Sequence, residues 1–209
     1  MNRGNSGQVI FNSPDDYTYY LEKLAELKQE HPFDLVHYCL MDTHTHFLVK
    51  IHRDTNFSTF SKRLNLSYAN YFKRNYGLIG HFWQGRFKSK LISQDSYLIE
   101  CGKYIELNPV RAGIVQRPED YRWSSYGYYA FGRDDALVSE DIFYEASGSN
   151  KSDRQKYYRD LIISTMIAED LDTDRPAVGS SRFVYNTNRK MKYHIRHEKS
   201  PYRQSSDQK

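Results

Sequence analysis

Tyr38-Cys39-Leu40-Met41-Asp42-Thr43-His44-Thr45-His46-Phe47-Leu48-Val49-Lys50 is the stretch from which the fold can be read. Apolar runs at 35–41 and 47–51 flank the polar pair Asp42-Thr43, the pattern of two antiparallel strands joined by a tight turn. His44 and His46 then open the second strand. Alternate residues on a strand share a face, so the two imidazoles stand about 7 Å apart along the strand and can converge on one ion. A lone His-x-His is more often a pair of polar residues at a solvated strand start. A ligand reading therefore needs support from elsewhere in the chain.

Upstream of this hairpin, 8–11 is a short apolar element. Ser13-Pro14-Asp15-Asp16 is a helix entry, with a capping hydroxyl, a proline in the first turn and acids favoured by the helix dipole. That helix carries Tyr17, Tyr20, Leu21, Leu24 and Leu27 as its apolar stripe and stops at His31-Pro32. Downstream, Asn56 or Ser58 caps a second helix with Phe60, Leu64, Tyr68, Tyr71 and Phe72 at helical spacing, ending near Asn75-Tyr76-Gly77. Residues 86–92 alternate like a fourth strand. Ser93-Gln94-Asp95 begins a third helix over 95–107, and Asn108-Pro109 ends its regular part. Trp123-Ser124-Ser125-Tyr126 reads as part of a short packed element after a turn, and 153–166 as a last helix. The order is βαββαβ-like. It predicts an α+β fold, a ferredoxin-like antiparallel sheet with helices on one face, in a domain spanning 1–130. A helical extension at 131–170 follows, and hydrophobic density then collapses into a basic, flexible tail at 171–209.

The chain has 209 residues, enough for one good core. Charged residues make up 27% of it, and mean hydropathy is -0.81. No run is long and apolar enough to span a bilayer, and Met1-Asn2-Arg3-Gly4-Asn5 is not a signal peptide, so a cytoplasmic protein without a membrane partner is expected. Cys39 and Cys101 sit in apolar stretches and suit buried thiols. The net charge of +4 conceals blocks: residues 50–90 hold nine Lys/Arg against one acid, Asp54, whereas 134–170 hold four against nine. In the 50–90 block the cations interleave with nine aromatics, a mixture that tracks a phosphate backbone and stacks on unpaired bases. Arg86, Lys88 and Lys90 alternate on the expected fourth strand, and Lys62, Arg63, Lys73 and Arg74 lie on the expected second helix. These seven are the DNA-backbone candidates.

The third helix supplies what the histidines lack. Tyr104 and Asn108 are four apart and share one helix face. An amide oxygen beside two imidazoles makes a mixed N/O site with open positions, suited to Mg²⁺ or Mn²⁺ holding a phosphate oxygen rather than to a closed zinc site. Tyr104 is then the natural nucleophile, once a base or the nearby cation has helped remove its proton. Glu100 and Glu106 lie near the site in sequence, where a carboxylate can assist proton transfer, but they read first as solvated helix carboxylates.

Asn2-Arg3-Gly4-Asn5, the 38–47 hairpin, Gly80-His81-Phe82-Trp83-Gln84-Gly85-Arg86-Phe87-Lys88-Ser89, Tyr104-Ile105-Glu106-Leu107-Asn108-Pro109-Val110-Arg111-Ala112-Gly113 and Trp123-Ser124-Ser125-Tyr126 resemble, in order and spacing, the REP-associated tyrosine transposases of the single-tyrosine HUH superfamily. The resemblance implies a metal-dependent endonuclease and strand transferase acting on single-stranded or hairpin DNA through a 5′-phosphotyrosine. His44 and His46 are then the paired metal ligands, Asn108 the third and Tyr104 the nucleophile. It also implies a bacterial, nucleoid-associated protein, with monomer and homodimer both open. The family has Pro-Asn where this chain has Asp42-Thr43, and an aliphatic residue where it has Thr45. The family also has a strand ahead of Asn2-Arg3, so the first strand is expected to be missing or shortened. A different class, a non-catalytic DNA- or RNA-binding module or repressor with the same fold, predicts salt-sensitive binding with no dependence on divalent metal.

Overall fold

The structure, a computed structural model, describes residues 1–92, 96–140, 142–165 and 177–178. They fall into two compact units, one made of 1–88 and 99–171, the other of 89–98 and 172–209.

The first unit is α+β and is built on the expected hairpin. Strand β2 (Phe33–Met41) turns through Asp42-Thr43 into β3 (His44–Ile51), and both pair antiparallel from Phe33↔Ile51 to Met41↔His44. A short β1 (Asn2–Arg3) pairs antiparallel with the other side of β3, giving the order β1-β3-β2. Helix α1 (Pro14–Glu30) starts where Ser13 and Asp16 place it, the Asp16 carboxylate accepting from the Asn12 and Ser13 amides. Helix α2 (Phe57–Tyr76) is capped by Asn56, whose side chain accepts from the Thr59 amide. It ends at Gly77, whose φ of 66° suits a residue without a Cβ.

A register irregularity between Leu35 and His37 shifts the alternation of β2. Phe33, Leu35, Tyr38 and Leu40 pack with Tyr20, Leu24 and Leu27 of α1 and with Phe60, Leu64, Tyr68 and Phe72 of α2 in the main core. His37 on β2 meets instead α3 (Ser96–Arg111), where a Cβ on Gly102 would come within 2.6 Å of its ring. The helices are therefore not confined to one face of the sheet, as expected from sequence. The residue skipped at the bulge turns His37 away from α1 and α2, and α3 covers it. Helix α3 also runs past Asn108-Pro109 to Arg111, beyond the expected end. Proline cannot donate to the Ile105 carbonyl, and the Asn108 Nδ2 does so in its place at 3.2 Å.

Helices α4 (Tyr126–Phe131), α5 (Ile142–Ala146) and α6 (Lys151–Thr165) join α3 in a second core of Leu107, Tyr126, Tyr129, Ala130, Tyr144, Tyr158 and Ile162. Residues expected as a separate extension, 131–170, thus contribute to a core shared with α3 and α4.

Irregular segments cover both edges of the sheet, which limits open pairing. Along β2, the Leu40 amide donates to the Trp123 carbonyl, and the Ser125 and Ser139 amides donate to the Tyr38 and Leu35 carbonyls. Along β1, residues 82–88 are bound through Asn5 to Phe82, Gln84 to Arg3, and Met1 and Lys88 in both directions. This is where the fourth strand was expected. Only β4 (Leu91–Ile92) is regular, and it pairs in parallel with β5 (Ala177–Val178) in the second unit. The two residues of β1 offer too little edge to hold 86–92 in a ladder. The helix start at 93–95 and most of 171–209 lie outside the described residues. Among the described residues no helix is long and apolar enough to cross a membrane.

Candidate active site

Alternation on β3 separates chemistry from core. Thr45 is fully buried and sits opposite Leu40 of the main core, whereas His44 and His46 pair with Met41 and Cys39. The imidazole centroids lie 4.8 Å apart, closer than the strand repeat, because the side chains lean together. Thr43 Oγ1 lies 2.9 Å from His44 Nδ1, so its other nitrogen is the one presented to a ligand. Asp42-Thr43, where the family has Pro-Asn, is thus a working part of the turn: Asp42 Oδ1 accepts from the Tyr17 hydroxyl, and its carbonyl accepts from the Ile10 and Phe11 amides.

Burial lowers the His44 pKa, with the Arg3 guanidinium and the chain's amino terminus acting in the same direction and Asp42 against them. His46 is pushed down to about 3, by burial first and then by His44 and the amino terminus. Both are neutral at pH 7, the form that binds metal.

Helix α3 brings Tyr104 to this pair, its ring centroid 6.0 Å from that of His46 in an edge-on approach. The Arg111 guanidinium lies 5.1 Å from the Tyr104 centroid, a cation–π contact from a residue two turns on from the tyrosine and one turn on from Asn108. Asn108 donates its Nδ2 to the Tyr104 carbonyl at 2.8 Å and to the Ile105 carbonyl, so its Oδ1 is the atom of the amide that can accept or bind a cation. Among the described residues no three His, Cys, Asp or Glu side chains gather as a metal site. Two adjacent neutral imidazoles, with a neutral amide one turn on from Tyr104, are a donor set that suits a divalent cation with open positions better than a closed site.

Glu106 departs from expectation. It is fully buried, not solvated, because the intervening Ile105 and Leu107 carry this part of α3 into the interior. Its Oε1 lies 2.9 Å from His37 Nδ1 and accepts from Ser125 Oγ at 2.6 Å, while Oε2 accepts from the Tyr158 hydroxyl at 2.7 Å. One carboxyl group thus ties β2, α3, the approach to α4, and α6. Glu100 is partly exposed and pairs with Lys103 at 2.5 Å.

Of the DNA-backbone candidates, Lys62, Lys73, Arg74, Arg86 and Lys88 are exposed. Arg63 is exposed too, but its guanidinium pairs with Glu30 of α1. Lys90 is half-buried and belongs to the second unit. Sequence reading missed the part played by four residues of this neighbourhood: Arg3, opposite His44 on β1; Arg111; and the His37–Glu106 pair. The Glu106 signal was available, since a carboxylate between Ile105 and Leu107 on an apolar helix is out of place on a solvated face.

The profile of the family described as "Transposase IS200 like" matches residues 5–108. A Haemophilus influenzae protein provisionally named a REP-associated tyrosine transposase is 30% identical over 133 residues, covering 58% of this chain and 70% of the relative. A solved structure of a REP-associated tyrosine transposase bound to a REP hairpin shares the fold, with a TM-score of 0.53 and 21% identity over 68% of this chain and 82% of that one. These likenesses define a DNA-processing enzyme of the transposase class. The chain belongs to the family of REP-associated tyrosine transposases.

Proposed function

We propose that this chain cuts and rejoins single-stranded DNA beside hairpin repeats, with Tyr104 as nucleophile. The observation that carries the reading is the approach of the Tyr104 ring to His46, 6.0 Å between centroids, with His44 4.8 Å further on. In the step proposed, Tyr104 Oη forms a bond to phosphorus and the P–O3′ bond breaks. One fragment stays on the tyrosine as a 5′-phosphodiester and the other leaves with a free 3′-hydroxyl. The phenolic proton passes to water and the departing 3′-oxygen takes one up, so one phosphodiester replaces another and no external energy source is needed. Attack by a 3′-hydroxyl on the phosphotyrosine rejoins the strand.

His44, His46 and Asn108 are the residues that would hold Mg²⁺ or Mn²⁺. Such an ion supplies charge neutralisation at the phosphate when bound. Arg111 faces the Tyr104 ring and restrains its position. The exposed Lys62, Lys73, Arg74, Arg86 and Lys88 provide the polyanion-binding charge, with Arg63 and Lys90 as further candidates. The relative of known structure was bound to a REP hairpin, and a hairpin with an unpaired flank is the proposed substrate here.

The test is a denaturing gel of labelled hairpin oligonucleotides incubated with the protein and Mg²⁺ or Mn²⁺. A slow, metal-dependent covalent band that vanishes with Tyr104→Phe is expected. An adduct that persists in the phenylalanine variant would remove Tyr104 from the mechanism.

A further inference from the structure

The outer side of β1 carries a groove of about 260 Å³ to which Arg3, Gln84, Gly85, Arg86 and Lys88 contribute. We propose that this groove seats the phosphodiester backbone of the unpaired DNA strand next to the bond that is cut. The proposal rests on the strand-transferase reading above and adds the path by which the strand reaches the site.

Three observations support it. Register and alternation set the direction of Arg3: Asn2 is buried and donates to Asn65 of α2 at 2.6 Å, so its neighbour Arg3 points to the other face, where it pairs in register with His44. The groove therefore adjoins the histidine pair. Second, residues 82–88 lie along β1 by backbone hydrogen bonds, Gln84 to the Arg3 carbonyl at 2.9 Å and Lys88 to the Met1 carbonyl at 2.9 Å. Phe82, Trp83 and Phe87 turn inward, whereas Gln84, Arg86 and Lys88 are exposed and the Cβ position of Gly85 meets nothing within 4 Å.

Third, the charge is available. Among the described residues, Arg3, Arg86 and Lys88 have no carboxylate partner, whereas Arg63 is committed to Glu30 and Lys50 approaches Asp34. The groove lining contains no acid at all. A concavity of this size is far too narrow for a duplex and matches a single nucleotide unit. Three unpaired cations along a narrow groove recognise phosphates in file, without reading bases.

Binding would be measured by fluorescence anisotropy in protein carrying Tyr104→Phe, so that no substrate is consumed, across a salt series with Mg²⁺ present. Two oligonucleotides are compared, a blunt hairpin and the same hairpin with an unpaired flank. Arg3→Gln, Arg86→Gln and Lys88→Gln each reduce the slope of log K against log salt for the flanked DNA by about 0.7, and the triple variant by about two. The slope for the blunt hairpin stays unchanged. Equal losses on both DNAs would place the duplex stem in the groove, and no loss on either would leave it without a phosphate; both overturn the proposal. Adduct formation is read separately. No adduct from the unsubstituted protein, with flank binding that depends on these cations, sinks the transferase reading and leaves the groove standing. Adduct formation with flank binding indifferent to the triple variant does the reverse.

Discussion

Glu106→Gln is the substitution that most directly tests how Tyr104, the proposed nucleophile, is held. The carboxyl group is fully buried and meets His37, Ser125 and Tyr158 within 2.9 Å, so nothing but protein can satisfy these groups. Glutamine keeps the shape. Its single carbonyl oxygen can stand in for Oε1, beside His37 and Ser125, or for Oε2, beside Tyr158, and in either orientation the amide nitrogen confronts a hydroxyl that had been donating to the carboxylate. Hydrogen bonds to a charged acceptor contribute about 1.5–3 kcal/mol each and neutral ones about 1 kcal/mol. Losing one bond and weakening two gives a cost of about 2–4 kcal/mol, a large share of a typical stability of about 5–15 kcal/mol. For a chain of this length it lowers Tm by about 5–15 °C. Urea titrations of the wild type, Glu106→Gln, Tyr158→Phe and the double variant measure it. Because both residues belong to one network, the double variant should lose less than the sum of the singles, with a coupling of about 1 kcal/mol or more. Well below Tm, the adduct rate should fall while hairpin affinity holds, since Tyr104 lies two residues from the anchor. A Glu106→Gln protein within about 0.5 kcal/mol of wild type, with additive losses, would refute the reasoning.

Thr45→Val should stabilise the fold by about 1 kcal/mol in urea titrations, because Thr45 Oγ1 is buried without a hydrogen-bond partner; it faces the Tyr20 phenol without meeting it in bonding geometry. An unchanged or lower midpoint would mean that the hydroxyl has found a partner. Gly102→Ala should cost about 1–3 kcal/mol despite the better helix propensity of alanine, since its Cβ would stand 2.6 Å from His37 Nε2 and 2.8 Å from Cδ2. A gain in stability would show that α3 can back away from β2. His46 titrates near 3 in the folded protein against 6.5 ordinarily, so the unfolded chain takes up a proton that the native chain refuses. In EDTA, the stability that His46 contributes should therefore be complete above about pH 6.5 and drain away as pH falls toward 3, with His46→Gln flattening the slope. An equal slope in that variant would assign the acid sensitivity elsewhere.

The hairpin and its histidines were legible because everything that fixes them is local. Two apolar runs, a two-residue polar break and period-two alternation specify which side chains share a face before any partner is known. Helix starts at Ser13 and Asn56 were legible for the same reason, since a cap answers amides three residues away. What failed to show depends on distant pairing. Residues 86–92 have the alternation of a strand, yet a strand exists only where an edge is offered, and β1 provides two residues. Pro109 looked like a stop because proline removes a helical donor, and the replacement, Asn108 Nδ2, is visible only once the carbonyls of Tyr104 and Ile105 are in place. Asn108 is therefore asked for two things at once. Its nitrogen keeps α3 helical across the proline, and its oxygen is what remains for an ion.

That double demand bears on how precisely the site can be built. Gly102 and Glu106 are four apart and lock one side of α3 to His37, while Tyr104, on another side of the helix that it shares with Asn108, meets His46. The two sets are offset by two residues on a single rigid helix, so any slack in the buried set becomes displacement of the reactive one. A misplacement of about 1 Å at a reacting group can cost about a hundredfold in rate. The buried set in turn depends on Ser125, two residues past the Trp123 that covers the β2 edge, and on Tyr158 of α6. Helix α6 lies beyond the residues matched by the family profile, yet the Tyr158 hydroxyl completes the anchor of the helix that carries Tyr104. A part of the chain outside the family profile is by this argument among the parts that set the position of Tyr104.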